Sequence, residues 1–136
     1  LARYYFPDGA FLRREEGRVV SMAFVIPCRT ELGPTAYLYG IATLPEHRGK
    51  GLATEVIREA VSAARTRGFD AAMLIPASPE LKPFYQQFGF LDSDTPVVFK
   101  DELDLGTGDD TKNRAMVILL SENIALPDEI SCIGRL

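Results

Sequence analysis

The residues from which metal sites and disulfide frameworks are built are scarce in this sequence. It has two cysteines, one histidine and no tryptophan. Cys28 and Cys132 are far apart in the chain and fit no Cys-x-x-Cys spacing, and His47 cannot make a histidine-based metal site by itself. We therefore expect neither a metal nor a disulfide. Two unpaired thiols suit a reducing compartment, which predicts a cytoplasmic protein.

Long apolar runs and an excess of positive charge are also missing. No apolar run approaches the roughly 20 residues needed to cross a bilayer, and no charged segment followed by an apolar one opens the chain. The net charge is −4 and the isoelectric point is near 5.0. Binding to nucleic acid needs clustered Lys and Arg, so we expect neither nucleic acid nor membrane as a partner. An acidic surface weakly favours a cationic partner such as an amine.

The length of 136 residues fits a single domain, which we place at residues 1–122, followed by a C-terminal arm at 123–136. The arm has no clear period and is expected on the surface. Patterns of β-formers, turn residues and helical spacing predict the remaining elements. The strands are 10–16, 18–27, 36–44, 69–76, about 95–105 and 114–121; the helices are 51–67 and a second one from Ser78 to Gly89, broken at Pro83; the loops are 30–35 and 106–113.

The clearest element is the helix at 51–67. Its apolar residues recur at spacings of three and four, its charged residues take the other face, and Gly68 supplies the stop. Strands precede and follow it, which is the order of a βαβ unit, so strands 36–44 and 69–76 should run parallel. The short connection at 16–17 predicts that strands 10–16 and 18–27 form an antiparallel hairpin. The fold class is therefore α/β, with a mixed, mostly antiparallel sheet around a central parallel pair.

The connection from strand to helix, residues 45–54, has the features of an anion site. A helix start leaves backbone N–H groups without partners, and Gly49 and Gly51 lack the Cβ atoms that would keep an anion away. Arg48 and Lys50 add positive charge, so a diphosphate would fit. The sequence is not a Walker A motif, and Thr54 stands where the third Gly of a dinucleotide fingerprint would be. The alternative is that the glycines only form a turn.

The wider context resembles a known family. Arg48-x-x-Gly51-x-Ala53 follows a Tyr-Gly-Ile-Ala-Thr-Leu-Pro strand, opens the amphipathic helix, and is followed by a strand and by Phe-Tyr-Gln-Gln-Phe-Gly-Phe at 84–90. In this order the segment resembles the GNAT superfamily of N-acetyltransferases, over about residues 10–121. The resemblance implies the acyl-CoA N-acyltransferase fold and a transfer of acetyl from acetyl-CoA to an amine. Family members usually open with a strand and two helices, whereas about nine residues precede the first strand here. Either these elements were removed or acceptor binding is built differently.

The resemblance also implies roles for individual residues. The backbone amides of the loop should bind the CoA pyrophosphate, and the end of the preceding strand should pair with the pantetheine arm and offer an N–H to the thioester oxygen. The loop residues are Arg48, Gly49, Lys50, Gly51, Leu52, Ala53 and Thr54, and the strand residues are Ile41, Ala42 and Thr43.

Two further positions matter for the chemistry. Tyr85 matches the family's usual general acid, which protonates the leaving thiolate, although it could instead be one more aromatic packing the short helix. Ser78 stands where the family often has an Asn that contacts the arm, and helix capping is its alternative role. The strand 36–44 carries Tyr37 and Tyr39 but no carboxylate, so we name no general base.

The acceptor is left open by the sequence: a small amine, an antibiotic, a polyamine and a protein N-terminus all remain candidates. A homodimer is also left open. A rival function is an acyl-CoA-binding or sensing module without catalysis, which the absent base carboxylate favours and Tyr85 opposes.

Overall fold

Eight strands and two α-helices make up the part of the chain that the computed structural model describes, residues 9–100, 113–122 and 124–136. Short 3₁₀ helices at Pro45–His47 and Pro79–Leu81 precede the two α-helices. The elements in chain order are β1 Ala10–Glu15, β2 Arg18–Thr30, β3 Gly33–Thr43, α1 Leu52–Thr66, β4 Ala71–Leu74, α2 Lys82–Gln86, β5 Leu91–Phe99, β6 Arg114–Leu119, β7 Ile130–Cys132 and β8 Gly134–Arg135.

The strands form one sheet in the order β1-β2-β3-β4-β6-β5-β7, with β8 pairing β2. Neighbours are antiparallel except at two places, where β3 runs parallel to β4 and β5 parallel to β7. The β3–β4 pair is the one joined by α1, so the parallel βαβ unit expected from the sequence is confirmed. The fold class, a mixed and mostly antiparallel sheet with a central parallel pair, is confirmed with it.

Helix α1 covers one face of the sheet. The expected bounds are confirmed to within one residue at each end, and Gly68 takes a φ of +80° after the helix. The helix turns its small and branched apolar residues to the sheet, namely Val56, Ile57, Ala60, Val61 and Ala64. Burying the three larger side chains among them stabilises the fold by roughly 5–9 kcal/mol at about 1.5–3 kcal/mol each. Ile57 and Val61 pack with Leu38 and Leu74 in the first of two core clusters.

The loop predicted at 30–35 is much tighter than expected. Strands β2 and β3 pair as far as Thr30 and Gly33, so only two residues make the turn. The Thr30 hydroxyl accepts a hydrogen bond from the N–H of Leu32 at 3.0 Å, which closes it. The prediction failed because Pro34 was taken as a strand breaker. Its carbonyl accepts from the N–H of Asp70 at 2.9 Å, so the strand uses the one backbone hydrogen-bonding group that proline keeps.

Two other boundaries differ from the prediction. The second helix is split near Pro83 as expected, into the 3₁₀ turn Pro79–Leu81 and α2, but α2 ends at Gln86 and not at Gly89. Strand β5 begins at Leu91, four residues before the predicted start, and the irregular pairing between Leu91 and Thr95, where Asp94 has a φ of +50°, hides its period. The predicted end of that strand, 101–105, and nearly all of the predicted loop 106–113 lie outside the described residues.

The C-terminal segment is not the surface arm that was expected. Strand β7 pairs with β5, β8 pairs with β2, and Ile130 and Cys132 are fully buried in the second core cluster, on the face opposite α1. Cys132 meets Cys28 there, and both thiols are free. The hydrogen bond between them raises the pKa of Cys28 and lowers that of Cys132. The segment looked irregular because its strands are only three and two residues long.

Candidate acyl-CoA site

A gap opens in the middle of the sheet where β3 and β4 stop pairing. The two strands pair only from Thr35 to Tyr37 on β3, opposite Ala71 to Met73. Strand β4 ends one residue later, whereas β3 continues for six residues to Thr43. In the described part of the chain, no strand pairs with residues 38–43 on the side of β4. An unpaired strand edge presents N–H and C=O groups that an extended ligand can use.

A β-bulge in β3 lies beside this gap. Tyr39 pairs with Phe24 and Ala42 with Met22, so two residues of β3, Gly40 and Ile41, face one residue of β2. Gly40 has a φ of +60°, and a Cβ there would lie 2.8 Å from Cδ2 of Phe24. Only glycine fits such a position, and the bulge changes the direction in which the following backbone N–H groups point.

The connection between β3 and α1 forms a pocket. Gly49 and Gly51 have φ values of +79° and +81°, and a Cβ on either would meet no heavy atom within 4 Å. Gly51 is the N-cap of α1 and has no side chain to cap the helix, so the N–H groups of the first turn are available to a ligand. The connection borders a cavity of about 300 Å³. Its lining residues are Thr43, His47, Arg48, Gly49, Gly51, Leu52, Ala53, Thr54 and Phe84.

The structure brings most of the predicted binding residues to this cavity, but not all of them. Lys50 is exposed in the connection and is not among the lining residues. Ile41 packs against the α1-side core, and Ala42 is exposed on the strand edge. Ser78 is the N-cap of the 3₁₀ turn and makes no side-chain cap hydrogen bond, so the capping role considered for it is not formed.

Sequence reasoning missed two lining residues, His47 and Phe84. His47 was considered as a lone histidine unsuited to a metal site, although it directly precedes Arg48. Its side chain is 15% exposed, and Nδ1 lies 2.9 Å from a carboxylate oxygen of Glu15. Phe84 was read only as part of the aromatic motif. No sequence signal distinguished it from its aromatic neighbours.

Arg48 ties the connection to the end of β3. Its Nε donates a hydrogen bond to the carbonyl oxygen of Thr43 at 3.2 Å. Thr43 is itself joined to β2 by a hydroxyl–hydroxyl hydrogen bond of 2.8 Å to Ser21. The Arg48 side chain therefore ties the connection back to the last residue of β3. This contact places the glycine-lined turn next to the open edge of β3.

Tyr85 lies on α2 and belongs to the α1-side core. It is 7% exposed, and its ring packs edge-on against Phe84, with centroids 5.3 Å apart, and against Phe90 at 6.4 Å. Burial raises the pKa of the Tyr85 hydroxyl. The packing role that the sequence left open is thus observed. Phe84, the residue before it, reaches the cavity.

Two kinds of feature are absent from the described residues. No helix in ranges 9–100, 113–122 and 124–136 is both long and apolar enough to span a membrane. Within the same ranges, no cluster of three or more His, Cys, Asp or Glu side chains could hold a metal ion.

A glycine-lined pocket between strand and helix, beside a gap between two parallel strands, places the chain in the class of mixed α/β domains built around a central βαβ unit. The model of the acetyltransferase (GNAT) family matches residues 2–90, about two thirds of the chain. The chain belongs to the acetyltransferase (GNAT) family.

Solved structures agree with this assignment. The chain is 26% identical to a proposed acetyltransferase from Agrobacterium tumefaciens, covering 74% of each chain with a TM-score of 0.56. It is 19% identical to a GNAT family N-acetyltransferase from Escherichia coli in complex with CoA, covering 90% of this chain and 68% of that one with a TM-score of 0.63, a likeness of fold. A GCN5-related N-acetyltransferase from Kribbella flavida is 25% identical over 57% of this chain, with a TM-score of 0.50. This chain spans only 20% of the Kribbella protein's length.

Proposed function

We propose that this protein is an acyl-CoA-dependent N-acyltransferase that moves the acetyl group of acetyl-CoA to a primary amine by direct attack. The observation that carries the proposal is the adjacency of two features. The glycine-lined entrance to α1 suits a diphosphate, and the unpaired edge of β3 suits the extended pantetheine arm. CoA contains both groups in one molecule, joined in this order.

The donor would bind in three parts. The pyrophosphate accepts hydrogen bonds from backbone N–H groups at 49–54, with Arg48 and Lys50 supplying charge. The pantetheine arm runs along β3, and the acyl carbonyl lies near the bulge. There an N–H from Ile41, Ala42 or Thr43 stabilises the charge that develops on the carbonyl oxygen during attack.

The chemistry then needs one bond formed and one broken. The neutral amine nitrogen attacks the thioester carbon, the C–N bond forms, the C–S bond breaks, and its electron pair goes to sulfur. The nitrogen loses a proton to a base that we do not assign, and the thiolate gains one. We assign this second proton to the hydroxyl of Tyr85. Transfer from a phenol of pKa about 10 to a thiolate of pKa about 8.5 is uphill by about 2 kcal/mol, and burial of Tyr85 increases that cost.

The rival function is an acyl-CoA-binding module without catalysis. It is favoured by the absence of a carboxylate from β3, Gly33–Thr43, where the family commonly carries its base. The buried position of Tyr85, which weakens it as an acid, points the same way. A cytoplasmic location and a homodimer remain predictions.

Two measurements test the proposal. Acetyl-CoA at 100 times its dissociation constant should stabilise the fold by about 2.7 kcal/mol in thermal unfolding, whereas desulfo-CoA lacking the acyl group should retain most of this effect. Release of free CoA thiol with a panel of primary amines then separates an enzyme from a binder. Stabilisation without amine-dependent thiol release supports the binding module, and no stabilisation rejects both functions.

A further inference from the structure

Four aromatic rings form a row on the face of the sheet opposite α1. The rings come from three strands: Phe24 from β2, Tyr39 and Tyr37 from β3, and Phe99 from β5. Neighbouring ring centroids are 5.5, 5.8 and 5.5 Å apart, and neighbouring ring planes differ by 27° to 41°. Tyr37, Tyr39 and Phe99 pack with the second core cluster, away from the helix.

The Phe24 end of the row lies at the gap in the sheet. Tyr37 is 4% exposed, whereas Phe24, Tyr39 and Phe99 are partly exposed. The Phe24 ring lies against Gly40, which belongs to the bulge, and Tyr39 directly precedes Gly40. Of the partly exposed rings, Phe24 and Tyr39 therefore border the part of β3 where the acyl carbonyl would be placed.

The two faces of the sheet are then divided between two ligands. The phosphate pocket is built from the start of α1, so the carrier occupies the α1 side of the gap. An acceptor reaching the same carbonyl without displacing the carrier must arrive from the other face. Within the described part of the chain, Tyr39 and Phe24 are the partly exposed rings beside the bulge on that face.

We propose that Phe24 and Tyr39 bind the aromatic ring of an arylalkylamine acceptor, with its amine directed into the gap. This inference rests on the proposed acyltransferase function. The rings of the row are inclined by 27° to 41° to their neighbours, and a further flat ring can pack on the row in the same inclined arrangement, at the centroid spacing of 5.5 to 5.8 Å that the row already uses. A polyamine is the main competitor, because aromatic faces also attract cations. The four side chains of the row carry no carboxylate, however, and a chain with several charges would leave most of them uncompensated on an apolar surface.

Leucine variants test the row with little loss of apolar volume. Phe24→Leu and Tyr39→Leu should each lower kcat/KM for 2-phenylethylamine roughly tenfold, mainly through KM, because they remove ring stacking. Activity with butylamine should change less than about twofold. Phe11→Leu is the matched control, since Phe11 is a partly buried ring packed on the α1-side core. Phe11→Leu should leave kcat/KM unchanged for both 2-phenylethylamine and butylamine.

Calorimetry measures amine binding directly, so it tests the ring site whether or not the protein catalyses acyl transfer. 2-Phenylethylamine is titrated into wild-type protein and Tyr39→Leu, each saturated with CoA. Binding that weakens roughly tenfold in the variant supports the row as a ring site even where no turnover occurs. The inference is overturned if the amine binds both proteins equally or not at all, or if spermidine is the better ligand and loses its affinity in the variant. Failure of CoA itself to bind is a different result, and it rejects the proposed function as well.

Discussion

Replacing Gly51 with glutamate would put a carboxylate at the entrance to α1, where we propose that the diphosphate binds. Gly51 has a φ of +81°, so any other residue there is strained, by roughly 1–2 kcal/mol. A Cβ at this position meets no heavy atom within 4 Å, so the cost comes from the backbone and not from a clash. Gly51→Gln is the matched variant, because it has the same strain and nearly the same volume but no charge.

The difference between the two variants follows from Coulomb's law. At a separation of about 5 Å, a carboxylate and a diphosphate of about two charges repel by about 1.7 kcal/mol at an effective dielectric constant of about 80, and by about 6.6 kcal/mol at about 20. The pocket is open to solvent, so the smaller figure is the safer bound. Since about 1.4 kcal/mol is a factor of ten in affinity, Gly51→Glu should bind CoA at least about 15-fold more weakly than Gly51→Gln.

Calorimetric titration with CoA measures this difference, and thermal melts check that both variants are folded to the same extent. The gap between the variants should narrow at about 0.5 M salt, because mobile ions screen exposed charges. Equal affinity of the glutamate and glutamine variants at low salt would show that the diphosphate binds elsewhere. The assignment of the pocket would then be wrong.

Three further predictions address other groups. Tyr85→Phe keeps the packing ring and should lower kcat roughly 10²-fold with the Kd for acetyl-CoA unchanged; equal losses in both would contradict the acid role. Burial raises the pKa of Tyr37 to about 12, so its native state resists ionisation. The stability it contributes is complete below about pH 10 and is lost as pH rises toward 12, by about 3 kcal/mol. Urea unfolding of Tyr37→Phe should lack this loss, and identical alkaline curves for variant and wild type would refute it. Cys28 and Cys132 should both resist a thiol reagent until the protein unfolds, since each is 0% exposed; rapid labelling of either one would contradict the burial.

The elements that local patterning specifies strongly were predicted well. Helix α1 has a full set of signals, with apolar residues at helical spacing and glycines at both ends, and its bounds differ from the prediction by one residue. The pocket at the start of α1 follows from the same local chemistry, because glycines and a helix start are adjacent in sequence. Seven of the predicted binding residues line the cavity for this reason.

Features that depend on pairing between distant segments were missed or shifted. The C-terminal strands are too short to show a period, and they form only because β5 and β2 offer edges to them. Phe84 lines the cavity whereas the adjacent Tyr85 is buried in the α1-side core, and which of two neighbouring rings takes which place is decided by the packing of α2 on the rest of the fold. A single-residue bulge such as that at Gly40 depends on which residues of β2 it faces, and one strand alone does not contain this information.

The amino-acid order alone specifies a helix, its glycine-lined entrance and a parallel strand on each side, because hydrogen bonds and apolar periodicity within a few residues set them. Where β3 leaves β4, which ring lies beside the bulge, and how the last thirteen residues complete the sheet are decided by contacts between segments up to about a hundred residues apart. Those contacts form only when the whole sheet is assembled. The strand that pairs with each edge comes from another segment, and the sequence of the edge itself does not specify which one.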